Sequence, residues 1–310
     1  MKNLLAALGP IIYRNGPTVA AEWFWLARPF SLTAAAVPVL FGSALAFNDD
    51  AFSLEPFLAM LLASLLIQAA TNMFNEFYDE QRGLDTAGSV GIAGSIVGGR
   101  IKARSVLVGA LFCYTLALVF SIYLVYVGGW PILILGCLSA LGGYVYSAGP
   151  RPIAYTPASE ATVFIFMGLL IVVITYGVQA NAYPAYVPLA AVPIGALVAA
   201  ILLANNVRDL KSDRRGGRNT LPVAVGRQGG ILVYRCLLLT PYLTVGALIL
   251  VGLVPPASGL AVLSLPLTLR LWRGISSTTI PDRLDAVVKG TAGLHAVFGL
   301  LYTIGVLIPL

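Results

Sequence analysis

Charge is what this chain has least of. Only 10% of its 310 residues are Asp, Glu, Lys or Arg, where a soluble domain carries about a quarter. Hydrophobic residues make up 58% and the mean hydropathy is +0.88, which excludes an ordinary soluble domain and predicts a polytopic membrane protein. Cysteine is also scarce. Cys113, Cys137 and Cys236 all lie inside apolar runs without metal-ligand spacing, so no disulfide or zinc framework follows. No charged, apolar and small-residue cleavage pattern precedes the first long apolar run. Residues 1–24 therefore read as an N-terminal interfacial segment. With no soluble domain to carry nucleic-acid binding, the net charge of +6 belongs to one membrane face and its lipid headgroups.

Apolar runs of membrane length predict nine helices, at 31–48, 55–76, 104–127, 130–148, 161–179, 187–207, 230–253, 257–272 and 287–308. The eighth is the shortest. With this count all 19 Lys and Arg fall on one side of the bilayer, in alternate loops or the helix ends facing them. The opposite loops (NDDAFSLE, VGGW, QANAYPAY, VPPAS) carry none. The segregation predicts a cytoplasmic N-terminus, cytoplasmic loops after the even helices, and the C-terminus outside. No linker divides the chain, so 1–310 reads as a single all-α membrane domain. It contains a weak internal repeat: a helix ends in an Asn/Asp cluster, a basic Gly-containing loop follows, and further helices complete the unit. Such repeats often place a site at their interface.

The two clusters are Asn72, Asn75 and Asp79, in TNMFNEFYDEQRGLD, and Asn205, Asp209 and Asp213, in NNVRDLKSDRRGGRNTL. Spacings of three, four and seven put the first set on one helix face, and four and eight do the same for the second. Carboxylates next to membrane-length apolar runs are expensive and mark function. Arg208, Lys211, Arg214, Arg215 and Arg218 surround the second pair. Acids and arginines at helix ends also pair for structural reasons alone, but that does not explain why Asn precedes the acids in both units. Oxygen ligands in two facing half-sites, beside many cations, suit Mg²⁺ and a diphosphate. Gly-rich stretches in the loops 77–103 and 208–229 permit close backbone approach to a ligand.

Other candidates are weaker. Tyr146 and Ser147, in GGYVYSAGPRP, lie level with the acids, as interfacial residues or as hydroxyl donors to phosphate. His295 is alone in its helix and reads as a packed residue rather than a base. Near the acid clusters, Phe74, Phe77, Tyr78, Phe164, Phe166 and Tyr176 are candidate walls of a substrate cavity that could stabilise a cation through their π faces. Glu160 is either a helix-start acid or a substrate contact. A transporter would also have repeats and intramembrane acids, but its coupling residues belong near the midplane; here the acids gather at one face.

In LARPFSLTAAAVPVLFGSALA, NMFNEFYDEQRGLD, NNVRDLKSDRRGGRNTLPVAVG and KGTAGLHAVFGLL, the chain resembles the UbiA superfamily of intramembrane aromatic prenyltransferases. The same four stretches carry a finer likeness, to the branch that prenylates 1,4-dihydroxy-2-naphthoate in menaquinone biosynthesis, whose spacing this chain shares: Asp85 follows Asp79 after five residues with Gly83 between. Glu76 departs from the Asp usual in the family and ranks below Asp79 as a metal ligand. The resemblance implies nine helices in a ring around a central cavity that opens laterally to lipid. Two Mg²⁺ ions and a polyprenyl diphosphate would lie near the cytoplasmic face under the loops. It implies Asn72, Asn75, Asp79, Asp85, Asn206, Asp209 and Asp213 as metal ligands or their supports. Arg82, Lys102, Tyr146, Ser147, Arg208 and Lys211 would contact the diphosphate. Arg28 would face an aromatic acceptor and its carboxylate. Asp79, Asp209, Asp213 and Asn75 form the catalytic set so implied.

Overall fold

In the computed structural model, residues 18–81, 83, 94–147 and 152–308 are described, and among them every regular element is helical. Helix α1 (Val19–Leu26) begins where the Thr18 hydroxyl accepts the Ala21 N–H. A 3₁₀ turn (Pro29–Ser31) then leads into α2 (Thr33–Asn48). Helix α3 (Leu54–Gln81) carries the first acid cluster on its last turns, and α4 (Ala103–Ser147) follows. A short α5 (Ser159–Val163) passes through a π-helical stretch (Phe164–Leu170) into α6 (Ile171–Ala180), which stops at the left-handed Asn181. Helix α7 (Tyr186–Arg215) ends in the second cluster, and α8 (Leu221–Leu250) starts on Pro222. A 3₁₀ segment (Pro256–Ser264) precedes α9 (Leu265–Ser277), and α10 (Pro281–Leu307) closes the fold.

All nine predicted runs are helical, but not as nine separate membrane-length helices. Among the described residues, six helical segments are long and apolar enough to cross a bilayer, and a seventh if α1 and α2, bent by 56°, count as one. The third and fourth runs are one 45-residue element. Straight, it would measure about 68 Å, over twice the hydrocarbon thickness. It breaks at Gly129, whose φ of 69° and ψ of −158° are outside helical space, a conformation open to glycine. Packing shows that the chain turns back there. Leu124 and Ile132, on either side, share a cluster with Met60 and Ala63 of α3. The outer ends return to the acid-bearing end, Val106 beside Met73 and Tyr146 beside Ala34 and Val163. The eighth run is helical over 256–277, but it starts as a 3₁₀ helix after Pro255, and only Leu265–Ser277 is α-helical.

Helix α7 is the most enclosed, with 72% of its apolar window buried. Its small residues (Ala190, Ala191, Gly195, Ala196, Ala199, Ala200) let neighbours approach closely, the usual way helices pack in lipid. At Gly168, on the π-helical stretch, an added Cβ would lie 2.2 Å from the Gly195 Cα. Large apolar side chains such as Leu243 and Leu250 stay exposed on the outside, where lipid replaces water. Tyr126 and Trp130, flanking the Gly129 turn, are exposed as well, fitting an interfacial aromatic belt. The segment read as interfacial is described from residue 18 onward. There α1 packs Trp23 and Leu26 against Met73 and Val106 while Phe24 and Trp25 stay exposed.

Candidate active site

Helices α3 and α7 run in the same direction and bring their last turns to one end of the bundle. A helix C-terminus carries partial negative charge, so acids placed there are disfavoured unless something offsets them. Arg218, in the turn after α7, supplies the offset. Its guanidinium lies 3.1 Å from Asp79 and 3.6 Å from Asp213, thereby joining the two clusters. It also stacks over the Tyr155 ring at 4.5 Å, and Asn219 N–H donates to the Tyr155 carbonyl. Burial works against the Arg218 charge, but the fields of Asp79, Tyr155 and Asp213 outweigh it, so its pKa stands above the ordinary arginine value. Buried Asp213 also accepts from the Thr220 hydroxyl at 3.2 Å.

Asp209 has a different partner. Buried Arg208 grips it with two hydrogen bonds of 2.8 and 2.7 Å and reaches Asp285 of α10 at 2.7 Å with its remaining amine. Lys289 completes this group, 2.7 Å from Asp285. Arg208 is thus engaged in an ion-pair network that ties α7 to α10. Asn206 donates to Glu160 at 2.8 Å, and Ser159 donates to the other Glu160 oxygen. Glu160, left between two roles by its sequence, is a buried helix-start acid holding Asn206.

The first cluster is turned largely into the protein. Asn72 donates to the Ala27 carbonyl and the Ser31 hydroxyl, both at 2.8 Å. It thereby clamps the turn in which Arg28 adopts a left-handed φ of 50°, a sparsely populated conformation for a side chain of this size. The Arg28 Nε is buried and has no hydrogen-bond partner. Glu76 is fully buried and accepts the Ser95 N–H at 2.8 Å. Asn75 is half-buried on the same helix, and Asn205 is half-buried on α7. Lys102, just before α4, and Lys211, on α7, are exposed; Tyr146 and Ser147 are half-buried at the end of α4. Arg82 and Asp85 lie outside the described residues. Among the described residues no three His, Cys, Asp or Glu form a ready metal cluster.

Tyr176 corrects one expectation. It is not near the acids but at the opposite end, where it donates to Asp49 at 2.5 Å and Tyr186 donates to the same oxygen. A cleft of about 220 Å³ beside Asp49 and Tyr186 is likewise remote from the acid clusters. Phe74, Tyr78 and Tyr114 form an aromatic group between α3 and α4, and Phe166 fills the space at Gly142. His295 is fully buried with neither ring nitrogen hydrogen-bonded. Reading by pattern passed over Arg218 as a site residue, and also Glu22 and Asp285. Arg218 was signalled by its place in the only long basic loop beside the second cluster, Glu22 by being a lone acid in AAEWFWLA.

Comparison with known proteins agrees with this arrangement. The UbiA prenyltransferase family profile matches residues 35–284. A 1,4-dihydroxy-2-naphthoate octaprenyltransferase of Bacillus subtilis is 39% identical over 91% of both chains. An enzyme of the same name from Haemophilus influenzae is 28% identical over 92% of this chain and 96% of its own. In fold, the chain is similar to a UbiA homolog from Archaeoglobus fulgidus bound to DMAPP and Mg²⁺, with a TM-score of 0.61 and 18% identity, covering 91% of this chain and 99% of that one. Helices that carry two Asn/Asp clusters to one end, over a profile spanning most of the sequence, place this chain in the UbiA prenyltransferase family.

Proposed function

We propose that the protein transfers a polyprenyl group from polyprenyl diphosphate to the ring of 1,4-dihydroxy-2-naphthoate, within the bilayer and in a Mg²⁺-dependent reaction. The carrying observation is that Asp79 and Asp213, one from each half of the repeat, meet on the guanidinium of Arg218. The naphthoate octaprenyltransferase relative, 39% identical, supports the choice of reaction.

The donor set fits the metal. Mg²⁺ prefers hard oxygen ligands and takes one or two carboxylates, completing its shell with phosphate oxygens and waters. Asp79, Asp209 and Asp213, with Asn75 and Asn206 beside them and Asp85 following, would hold two such ions. Bound Mg²⁺ would neutralise the diphosphate and make it a better leaving group. Arg218, Lys211, Arg82 and Lys102 would hold the diphosphate oxygens, and Tyr146 and Ser147 would donate hydroxyls. Arg28 would orient the acceptor carboxylate. The allylic C–O bond breaks with its electron pair leaving on the diphosphate, and apolar walls keep water from the cation. The ring carbon bearing the carboxylate forms the new C–C bond and CO₂ departs, leaving the prenylated naphthoquinol, the reduced form of demethylmenaquinone.

Each buried CH₂ of the prenyl tail is worth about 0.8 kcal/mol, which favours lipid over water and accounts for a site among membrane helices. We read the helices as a ring around a central cavity that opens laterally to lipid. The basic, acid-bearing end would face the cytoplasm with the N-terminus, and the C-terminus would lie opposite. Purified protein in nanodiscs, given Mg²⁺ and a polyprenyl diphosphate, should prenylate dihydroxynaphthoate with release of CO₂. Prenylation of 4-hydroxybenzoate or homogentisate alone would overturn the acceptor, and no diphosphate release with any acceptor would overturn the reaction.

A further inference from the structure

Two buried carboxylates converge on one serine. Glu76 accepts the Ser95 N–H at 2.8 Å and the Ile96 N–H at 3.5 Å on Oε1. Its Oε2 faces the Arg28 guanidinium at 3.9 Å. Glu22, on α1, accepts the Ser95 hydroxyl at 2.5 Å and Arg100 Nε at 2.6 Å. Glu22, Glu76 and Ser95 are all buried, and a buried carboxylate persists only when charges and donors answer it. Here Arg28 and Arg100 supply the charge, and the Ser95–Ile96 backbone supplies the donors. Residues 94–101 are wound tightly on themselves. Arg100 and Ile101 N–H both return to the Ser95 carbonyl, and Gly94 and Gly99 take the left-handed conformation. Lys102 follows directly.

We propose that Glu76 is a positioning residue rather than a metal ligand: one buried anion sets both the 94–102 turn, which carries Lys102, and Arg28. The roles of those two cations rest on the proposed function; the anchoring of the turn does not. Glu76 Oε1 accepts from two backbone N–H groups and Oε2 lies 3.9 Å from a guanidinium, while Asp79, three residues on, faces Arg218. The longer Glu in place of the Asp usual at this position suits a reach across to another segment.

The test uses full-length protein in nanodiscs with Glu76→Gln, which keeps an acceptor but removes the charge, and Glu76→Asp, which keeps the charge but shortens the arm. Amide exchange over 94–101 is read without substrate or metal. Acceptor KM and the Mg²⁺ concentration for half-maximal transfer are read separately. Expected in Glu76→Gln are exchange and acceptor KM each raised about tenfold, as fits loss of a charge-assisted hydrogen bond, with half-maximal Mg²⁺ within about twofold of wild type. Glu76→Asp should raise exchange by a similar factor and leave KM nearer wild type, and it serves alone should Glu76→Gln not fold. Unchanged exchange in the variants, unchanged KM in Glu76→Gln, or a tenfold shift in Mg²⁺ dependence would each overturn the proposal. If wild-type protein prenylates no naphthoate, the proposed function fails by itself. Exchange and Mg²⁺-dependent binding of a non-hydrolysable polyprenyl diphosphate then still decide between anchor and ligand.

Discussion

The last turns of α3 and α7 carry similar residues at similar spacing, yet their side chains are partnered in different ways. On α3, Asn72 and Glu76 spend their hydrogen bonds on backbone and on Ser31, clamping the Arg28 turn and the 94–101 turn. Only Asp79 is left facing the shared Arg218. On α7, Asp209 and Asp213 are matched by guanidinium groups, and the helix is pinned to α10 through Asp285. The first half of the repeat mainly holds turns in place; the second mainly pairs charge. A repeated motif need not mean repeated duty. Bonds to backbone set geometry, whereas pairs of side-chain charges set a potential that a cation or a diphosphate can displace.

The largest effects are expected at one acid from each helix. Asp79→Ala and Asp209→Ala are each expected to lower transfer by about a thousandfold or more, the scale of lost transition-state electrostatics, while the proteins still run as folded species on size exclusion. Full activity in either would remove that helix from the reaction. Next in size is Arg208→Ala, which takes the guanidinium from its acid partners, leaving Asp209 without it and Asp285 with Lys289 alone. A loss of roughly 3 kcal/mol is expected, read as a lower thermal midpoint in detergent; wild-type stability would show the network to be idle. Asn72→Ala should cost about 2 kcal/mol or less, since it leaves the Ala27 carbonyl and Ser31 hydroxyl short of a donor. It should also raise acceptor KM more than it changes Mg²⁺ dependence. The smallest effect is a coupling. Asp79→Asn and Asp213→Asn share Arg218, so their double-mutant cycle in stability should depart from additivity by about 1 kcal/mol, and strict additivity would mean that Arg218 does not link them.

Residues that repeat, and runs that are long, were readable before any coordinates. Asp79, Asp209 and Asp213 were found because acids beside apolar helices recur with Asn before them, and the Gly129 turn because VGGW interrupts an apolar stretch. Pairing was not readable. Nothing local in the sequence tells Arg208 to reach Asp285 as well as its neighbour Asp209, or Glu76 to choose Ser95, since these bonds join separate segments of the chain. Glu22 was taken with an interfacial segment because a single acid among aromatics suits a surface as well as a buried anchor. Tyr176 was assigned to the wrong end because an aromatic residue gives no sign of its depth along a helix. The π-helical stretch at Phe164–Leu170 also has no simple signature, as it answers to packing against α7.

That packing has a consequence for inheritance. Every amino-acid replacement at Gly168 or Gly195 adds at least one carbon, which at Gly168 meets the Gly195 backbone and at Gly195 meets the Leu169 and Phe164 side chains. Variation arriving here cannot be absorbed by a rotamer shift of its own. Compensation would have to come from neighbours able to shrink, among them Phe164 and Leu169, whose side chains press on Gly195. Selection for suppressors of Gly195→Ala should therefore return changes in the membrane interior, not in the charged loops.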